Sequence, residues 1–284
     1  MLPDGFELFS SCRCKVAEGP RWNDSDQRLY WVDISLGAVY RREKNAPPDV
    51  YESFSPGIGK IGAIVFHEGK LLLFAANCRI YRCSFGEKAE LFAKLPGHQD
   101  TRFNDVFADR AGHIFCGVAW NPETKKPGEL WRFSLKDKTF RQIESDLSGM
   151  PNGMGVSPDR KKLYFAVSEE WKVYCYDFDE EAGTLKNRRI FAEFQPEGGN
   201  PDGLAVDPET GNVAVAFWNG RRLLICSPDG CGQKEFRFPI AKVTSAEYAP
   251  FGLIVTTANL PWEESEWEKN HAGSVFVYPF RNDR

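Results

Sequence analysis

Apolar residues along this chain fall in short runs, "RLYWVDI", "KLLLFAA", "HIFCGVAW", "KLYFAVS", "NVAVAFW" and "GLIVTTA", rich in β-branched and aromatic side chains and bounded by turn formers. Apolar and polar positions alternating with period two are the mark of a strand. No long stretch carries a 3.6-residue period with caps, so the chain reads as all-β. A first apolar stretch and a turn precede each run. Six equivalent positions in those stretches, Glu18, Ile61, Asn104, Asn152, Asp202 and Ser245, are spaced 43, 43, 48, 50 and 43 residues apart. A second hairpin follows each run: "GAVYRRE", "CRIYRCS", "GELWRFS", "WKVYCYDF", "RRLLICS" and "GSVFVYP".

Four short strands in about 45 residues is the size of one propeller blade. Residues 1–284 are therefore predicted to form a single six-bladed β-propeller with four-stranded antiparallel blades. A β-sandwich would not repeat so regularly, and the lack of intervening helices excludes a parallel α/β sheet. An open ring would expose strand edges. The extended "FELFSSCRCKV" ahead of the first repeat is thus expected to complete the last blade, and "PWEESEWEKNH" reads as an exposed loop of that blade.

Charge narrows the partners. The 36 Lys+Arg against 40 Asp+Glu give a net charge of −4, which argues against nucleic-acid binding. A hydrophobic content of 42% excludes a disordered chain, and no apolar run reaches membrane-spanning length. The start "MLPDGFELFSSCRCK" lacks the pattern of a secretory signal, so the eight cysteines read as free thiols in a reducing compartment. The expectation is a cytoplasmic monomer or weak homodimer with neither a nucleic-acid nor a membrane partner.

In a propeller the first strand of each blade lines the central channel, so the six equivalent positions form a ring of side chains. Glu18, Asn152 and Asp202 would bring three oxygen ligands from three blades, with two formal negative charges, a set suited to a hard divalent cation. About half the coordination sphere would stay open for water or substrate, as catalysis requires. The bland alternative is real. "MPNGM" and "NPDGL" contain Asn-Gly and Asp-Gly turn signals, and a third copy, "SPDGC" at Pro228 to Gly230, reads as a plain turn. Register separates them: Asn152 and Asp202 precede an inner-strand run, as Glu18 does, whereas Asp229 follows a second hairpin.

"AEGPRW", "RFNDVFADRAGHIFCG", "PNGMGVSPDRKKLYF" and "NPDGLAVDPETGNVAVAFWNG" resemble the gluconolactonase, regucalcin and luciferin-regenerating-enzyme family over essentially the whole chain. The resemblance implies a six-bladed propeller with one divalent metal in its channel and, in many members, hydrolysis of sugar lactones. Carried over by motif, the metal ligands fall on Glu18, Asn152 and Asp202, and the substrate-contacting pair on Arg102 and Asn104. Calcium fits the oxygen ligands, with zinc, manganese, magnesium and iron(II) left open. The metal would polarise the lactone carbonyl or lower the pKa of a bound water, and Asp202 would double as general base. Arg102 would offer its planar donors to the sugar, unless it is tied in an ion pair to Asp100 or Asp105. Trp120 and Trp218 would form an apolar wall against a sugar face, or simply pack.

Departures from the family pattern at Ala17, Val106, Ala119, Trp120, Asn121 and Val167 alter the expected walls, so the substrate need not be gluconolactone. A non-enzymatic reading also stands, a calcium-binding regulator or a protein-interaction propeller, since one fold hosts many functions. Within enzymes, an aryl ester or phosphotriester hydrolase would share the same metal. His67, His98, His113 and His271 show neither HxH nor HExxH spacing, which argues against a histidine zinc site and a Ser-His-Asp hydrolase. His98 reads as a solvated loop residue. Cys12 and Cys14 form a CxC pair, and Cys226 lies close to Cys231, but neither has the paired spacing of a structural zinc site.

Overall fold

A computed structural model describes residues 2–121, 123–260 and 265–280. The strands form six separate four-stranded antiparallel sheets, arranged as the blades of a six-bladed propeller. The inner strands are Ala17–Asn23, Ile61–His67, Phe103–Ala108, Pro151–Val156, Asn200–Val206 and Val243–Ala249. Each pairs with the second strand of its own blade, and neighbouring inner strands pack side by side around the axis.

The ring closes as expected. Glu7–Ser10 pairs antiparallel with Val275–Pro279, Glu7 opposite Val277 and Leu8 opposite Phe276, so the amino-terminal strand is the outermost of the last blade. Covering that edge ties the two ends of the chain together, and an edge left bare would be open to foreign strands.

Hydrophobic layers between neighbouring blades hold the ring together. Phe74 and Phe103, with ring centroids 5.5 Å apart, join the second blade to the third, and Trp31 stacks on Tyr40 at 5.7 Å within the first. The second strand of each blade is buried on both faces, as in Arg28–Asp33, where all but the first residue is buried. Its sequence therefore reads as a nearly continuous apolar run. Fourth strands such as Thr184–Glu193 are mostly exposed and polar.

Glycine follows the ring position in four blades, and at three of these, Gly62, Gly153 and Gly203, neighbouring inner strands approach too closely for a side chain. A Cβ on Gly62 would sit 2.2 Å from the Phe103 carbonyl oxygen, one on Gly153 2.1 Å from the Leu204 nitrogen, and one on Gly203 2.1 Å from Ser245 Oγ.

Two expectations are corrected. The stretch "PWEESEWEKNH" is not simply an exposed loop. Residues 261–264 lie outside the described ones, but Glu266–His271 is a helical turn, capped by the Ser265 side chain accepting from the Glu268 backbone N–H. It is held by tertiary contacts: buried Glu268 pairs with Arg221 at 3.0 Å and accepts from the Ala241 backbone N–H at 2.6 Å. His98 is not freely solvated either, because its Nε2 lies 2.9 Å from Glu129 Oε2 and its ring packs edge-on to Trp131. All eight cysteines are free thiols, with only Cys231 exposed. Among the described residues no helix is long and apolar enough to cross a membrane.

Candidate functional site

The ladder between first and second strands breaks in every blade, and in every blade it breaks at or beside the ring position. Register shifts fall between Glu18 and Arg21, Ile61 and Ala63, Phe103 and Val106, Pro151 and Met154, Pro201 and Leu204, and Val243 and Ser245. A bulge frees a residue from regular pairing and re-aims its side chain. Glu18, Asn104, Asn152 and Asp202 accordingly line one cavity of about 270 Å³, together with Arg102 and Trp218. All four are buried residues.

A directed chain of hydrogen bonds runs across three blades. Arg102 Nη1 donates to Asn104 Oδ1 at 2.5 Å and to the Phe103 carbonyl at 3.0 Å. Asn104 Nδ2 donates to Asn152 Oδ1 at 2.5 Å and to the Pro151 carbonyl at 2.7 Å. Asn152 Nδ2 donates to Ser168 Oγ, and Ser168 Oγ donates to the Pro201 carbonyl, each at 2.7 Å. Guanidinium can only donate and a carbonyl can only accept, so the two ends of the chain fix the orientation of both amides. Both Asn104 N–H groups are committed, which leaves one lone pair on Oδ1 for a ligand. Arg102 Nε and Nη2 make no hydrogen bond among the described residues. Of the two ion pairs weighed for Arg102, neither forms: Asp100 binds Lys126 at 2.8 Å, and no carboxylate lies within salt-bridge distance of Arg102 among the described residues.

Negative charge is in excess at the base of this cavity. Burial pushes the Asp202 carboxyl well above the usual carboxylate range, and the charges of Glu18, Asp105 and Glu169 push it further. Glu18 is raised well above its ordinary value by burial and by Asp105, against the opposing pull of the Gly19 backbone N–H, which donates to its Oε2 at 2.9 Å. Among the described residues Asp202 takes no hydrogen bond and neither acid has an ion-pair partner. Two dehydrated carboxylates without a salt-bridge partner among the described residues, beside an oriented amide oxygen, fit a hard divalent cation. Among the described residues no cluster of three or more His, Cys, Asp or Glu is placed to hold a metal, so the set depends on the Asn152 amide.

Several groups on the cavity escape a reading of the sequence alone. Ser168 and Glu169 follow directly on the second strand of the fourth blade, and Ser35 lies just past that of the first; Trp218, singled out from the sequence, ends that of the fifth. Lys60, Met150 and Asn200 come one or two residues before a ring position, as Arg102 does. The register that yields the ring thus also yields its rim. By ladder register Ala119 matches Trp218, since Phe103 pairs with Val118 as Pro201 pairs with Phe217, and Trp120, one residue farther on, is not among the residues lining the cavity. Asp105 stands where Gly62, Gly153 and Gly203 stand in other blades and adds a third buried carboxyl. Burial raises it to about 6 against the opposing charges of Arg21 and Arg102.

Residues 16–259 match the family described as the SMP-30/Gluconolactonase/LRE-like region. A pentonolactonase of Haloferax volcanii is 36% identical over 93% of this chain and 90% of its own length. An L-arabinolactonase of Azospirillum brasilense is 29% identical over 97% and 92%. The solved luciferin-regenerating enzyme superposes with a TM-score of 0.83 at 24% identity, covering 96% of this chain and 94% of that one, a likeness of fold.

Proposed function

Since the chain belongs to the SMP-30/Gluconolactonase/LRE-like family, we propose that it hydrolyses a sugar lactone in the channel cavity, with one divalent cation held by Glu18, Asn152 and Asp202. The observation that carries this reading is the pair of buried carboxylates, neither in a salt bridge, that share one cavity with the unused donors of Arg102. The resemblance of the whole chain to a pentonolactonase favours a five-carbon aldonolactone as substrate. Calcium is the proposed ion, by the hardness of the three oxygen ligands.

Ring opening places negative charge on the carbonyl oxygen and needs a base for the attacking water. A bound divalent cation supplies Lewis-acid stabilisation of that charge. Asp202, which takes no hydrogen bond among the described residues, would give one oxygen to the cation and accept the water's proton on the other once ionised. Arg102 Nε and Nη2 hold the sugar hydroxyls or the ring ester, and its charge persists at every working pH. Asn104 accepts one further hydrogen bond and locks the Asn152 amide with its oxygen toward Asn104. Trp218 offers an apolar face to the C–H side of the sugar ring.

The test is proton release from pentono- and hexonolactones by chelator-treated protein, with and without added calcium, magnesium, manganese or zinc. Turnover is expected to vanish on chelation and return with the ion, and Asp202→Ala is expected to stay folded and lose at least about a hundredfold in kcat. Full turnover in the presence of chelator, or in Asp202→Ala, would overturn the reading. Tight calcium binding with no turnover on any lactone, aryl ester or phosphotriester would point instead to a calcium-binding regulator.

A further inference from the structure

Away from the channel, the segment that joins the ring-closing strand Glu7–Ser10 to the first inner strand carries two thiols side by side. Arg13, with φ 51°, is left-handed between them, and the turn it makes brings Cys12 Sγ and Cys14 Sγ to 3.5 Å. That is outside the bonded distance of about 2.05 Å, but closing it needs only a small side-chain movement. Both residues are buried, Cys12 at 9% exposure and Cys14 at 1%. The Cys14 thiol donates to Cys12 Sγ, and the Cys12 thiol donates to the Gly273 carbonyl at 3.2 Å.

Two further groups in this pocket are unexplained by the fold. Ser10 Oγ and Trp31 Nε1 are fully buried and have no hydrogen-bond partner. Both sit against the sulfurs, Ser10 beside Cys12 and Trp31 beside both. An orphaned buried donor costs about 1–3 kcal/mol, and two of them beside one sulfur fit a state in which that sulfur carries charge. We propose that Cys12 and Cys14 are a reversible dithiol–disulfide pair, with Cys12 the sulfur that meets a peroxide and Cys14 the sulfur that resolves it.

The two thiols are set apart as such a division requires. Burial acts to raise Cys12, but the donation from Cys14, together with the Ser10 hydroxyl and the Trp31 indole N–H lying beside the sulfur, outweighs it and holds the thiol below its ordinary range. Burial and the neighbouring Cys12 push Cys14 well above. In the first step the Cys12 thiolate attacks one oxygen of hydrogen peroxide; the O–O bond breaks, an S–O bond forms, and hydroxide leaves to take up the thiol proton. In the second, Cys14 sulfur attacks Cys12 Sγ; the S–S bond forms, the S–O bond breaks, and the second thiol proton leaves with that oxygen as water. Overall two thiols and one peroxide give one disulfide and two waters, the peroxide accepting both electrons. The pair also marks where the chain's beginning is tied to the last blade, since Cys14 N–H donates to the Gly273 carbonyl and Asn259 N–H to the Cys14 carbonyl.

The experiment treats the folded, reduced full chain with hydrogen peroxide, blocks remaining thiols with N-ethylmaleimide under denaturing conditions, and digests at glutamate. The peptide "LFSSCRCKVAE", Leu8 to Glu18, contains both cysteines and no internal cleavage site. It is expected lighter than the reduced peptide by two hydrogens, free of maleimide, and restored by dithiothreitol. Cys14→Ser should stop at a dimedone-trappable sulfenic acid on Cys12, and Cys12→Ser should leave Cys14 unoxidised. Trp31→Phe should form the same disulfide about tenfold more slowly, because the buried N–H beside the attacking sulfur, available to its thiolate, is gone. The proposal fails if both cysteines still carry maleimide after a dose that oxidises the exposed Cys231. It fails equally if the disulfide maps elsewhere. The wild-type measurement decides even should a variant fold poorly.

Discussion

Asp105 provides the sharpest test of the electrostatics of the channel. Its carboxyl titrates at about 6 in the ion-free folded protein against a reference of 3.8, because burial disfavours its charge more than Arg21 and Arg102 favour it. A folded value above the unfolded one means that the folded state holds its proton longer. The associated stability is complete below about pH 4 and is lost as the pH rises through 6. The difference between 6 and 3.8 corresponds to about 3 kcal/mol at 1.36 kcal/mol per pH unit. Asn at this position has nearly the same shape and never ionises. In chelator, Asp105→Asn is therefore expected to be more stable than the wild type by about 3 kcal/mol at pH 8, roughly 6 °C in Tm, and equal to it near pH 4. Urea unfolding followed by tryptophan fluorescence at the two pH values measures this. Equal stability at pH 8, or a gap that persists unchanged at pH 4, would refute the assignment of a dehydrated charge at this position.

Glu18→Gln should show a crossing pattern: more stable than the wild type at pH 8 in chelator, because the raised Glu18 carboxyl no longer has to ionise, yet deprived of the thermal stabilisation that millimolar calcium is expected to give the wild type. A calcium-induced rise in Tm equal to that of the wild type would exclude Glu18 as a ligand. Ser168→Ala leaves the Asn152 N–H and the Pro201 carbonyl without their partner, which should cost about 2–4 kcal/mol in denaturant melts and weaken calcium binding by about tenfold or more in calorimetry. Gly153→Ala forces a Cβ to 2.1 Å from the Leu204 nitrogen, where only backbone can yield, so a loss of roughly 3 kcal/mol is expected by the same melts; a neutral result would show that the inner strands are not closely packed there.

How much of this was legible in the sequence follows from what each feature depends on. The six-bladed ring was readable because its determinants are local and repeated: a second strand such as "KLLLFAA" is apolar throughout since it is covered on both faces. Ring positions were readable because in three blades the next residue must be glycine to let neighbouring inner strands meet. The short helix at Glu266–His271 was not legible, because six residues are too few to establish a 3.6-residue period and what holds them, Glu268 against Arg221 and Ala241, comes from another blade. Trp120 and Trp218 look equivalent by their spacing from the ring positions, yet the ladder sets Ala119, not Trp120, opposite Arg102, and only Trp218 lines the cavity. Beyond Trp120 the chain is drawn toward its own loop, where Asn121 bonds to Lys126 and to the Asp100 carbonyl.

The charge of the channel is the part that no count along the chain can supply. A net charge of −4 over 284 residues says nothing about where the imbalance sits. Folding gathers Glu18, Asp105 and Asp202 within electrostatic reach of one another, with Arg102 as the cation common to all three and Arg21 acting on Asp105 alone. Arg21 is also drawn to Glu247, 3.4 Å away, which dilutes its effect further. The same asymmetry explains why Asn104 and Asn152 are amides: carboxylates in their places would add charge to a site already in excess, and would break the donor chain that starts at Arg102. An Asn152→Asp protein should therefore be the least stable of the ring variants at pH 8 in chelator and should recover most on adding calcium. The absence of that recovery would mean that the deficit of positive charge inferred for this cavity does not exist.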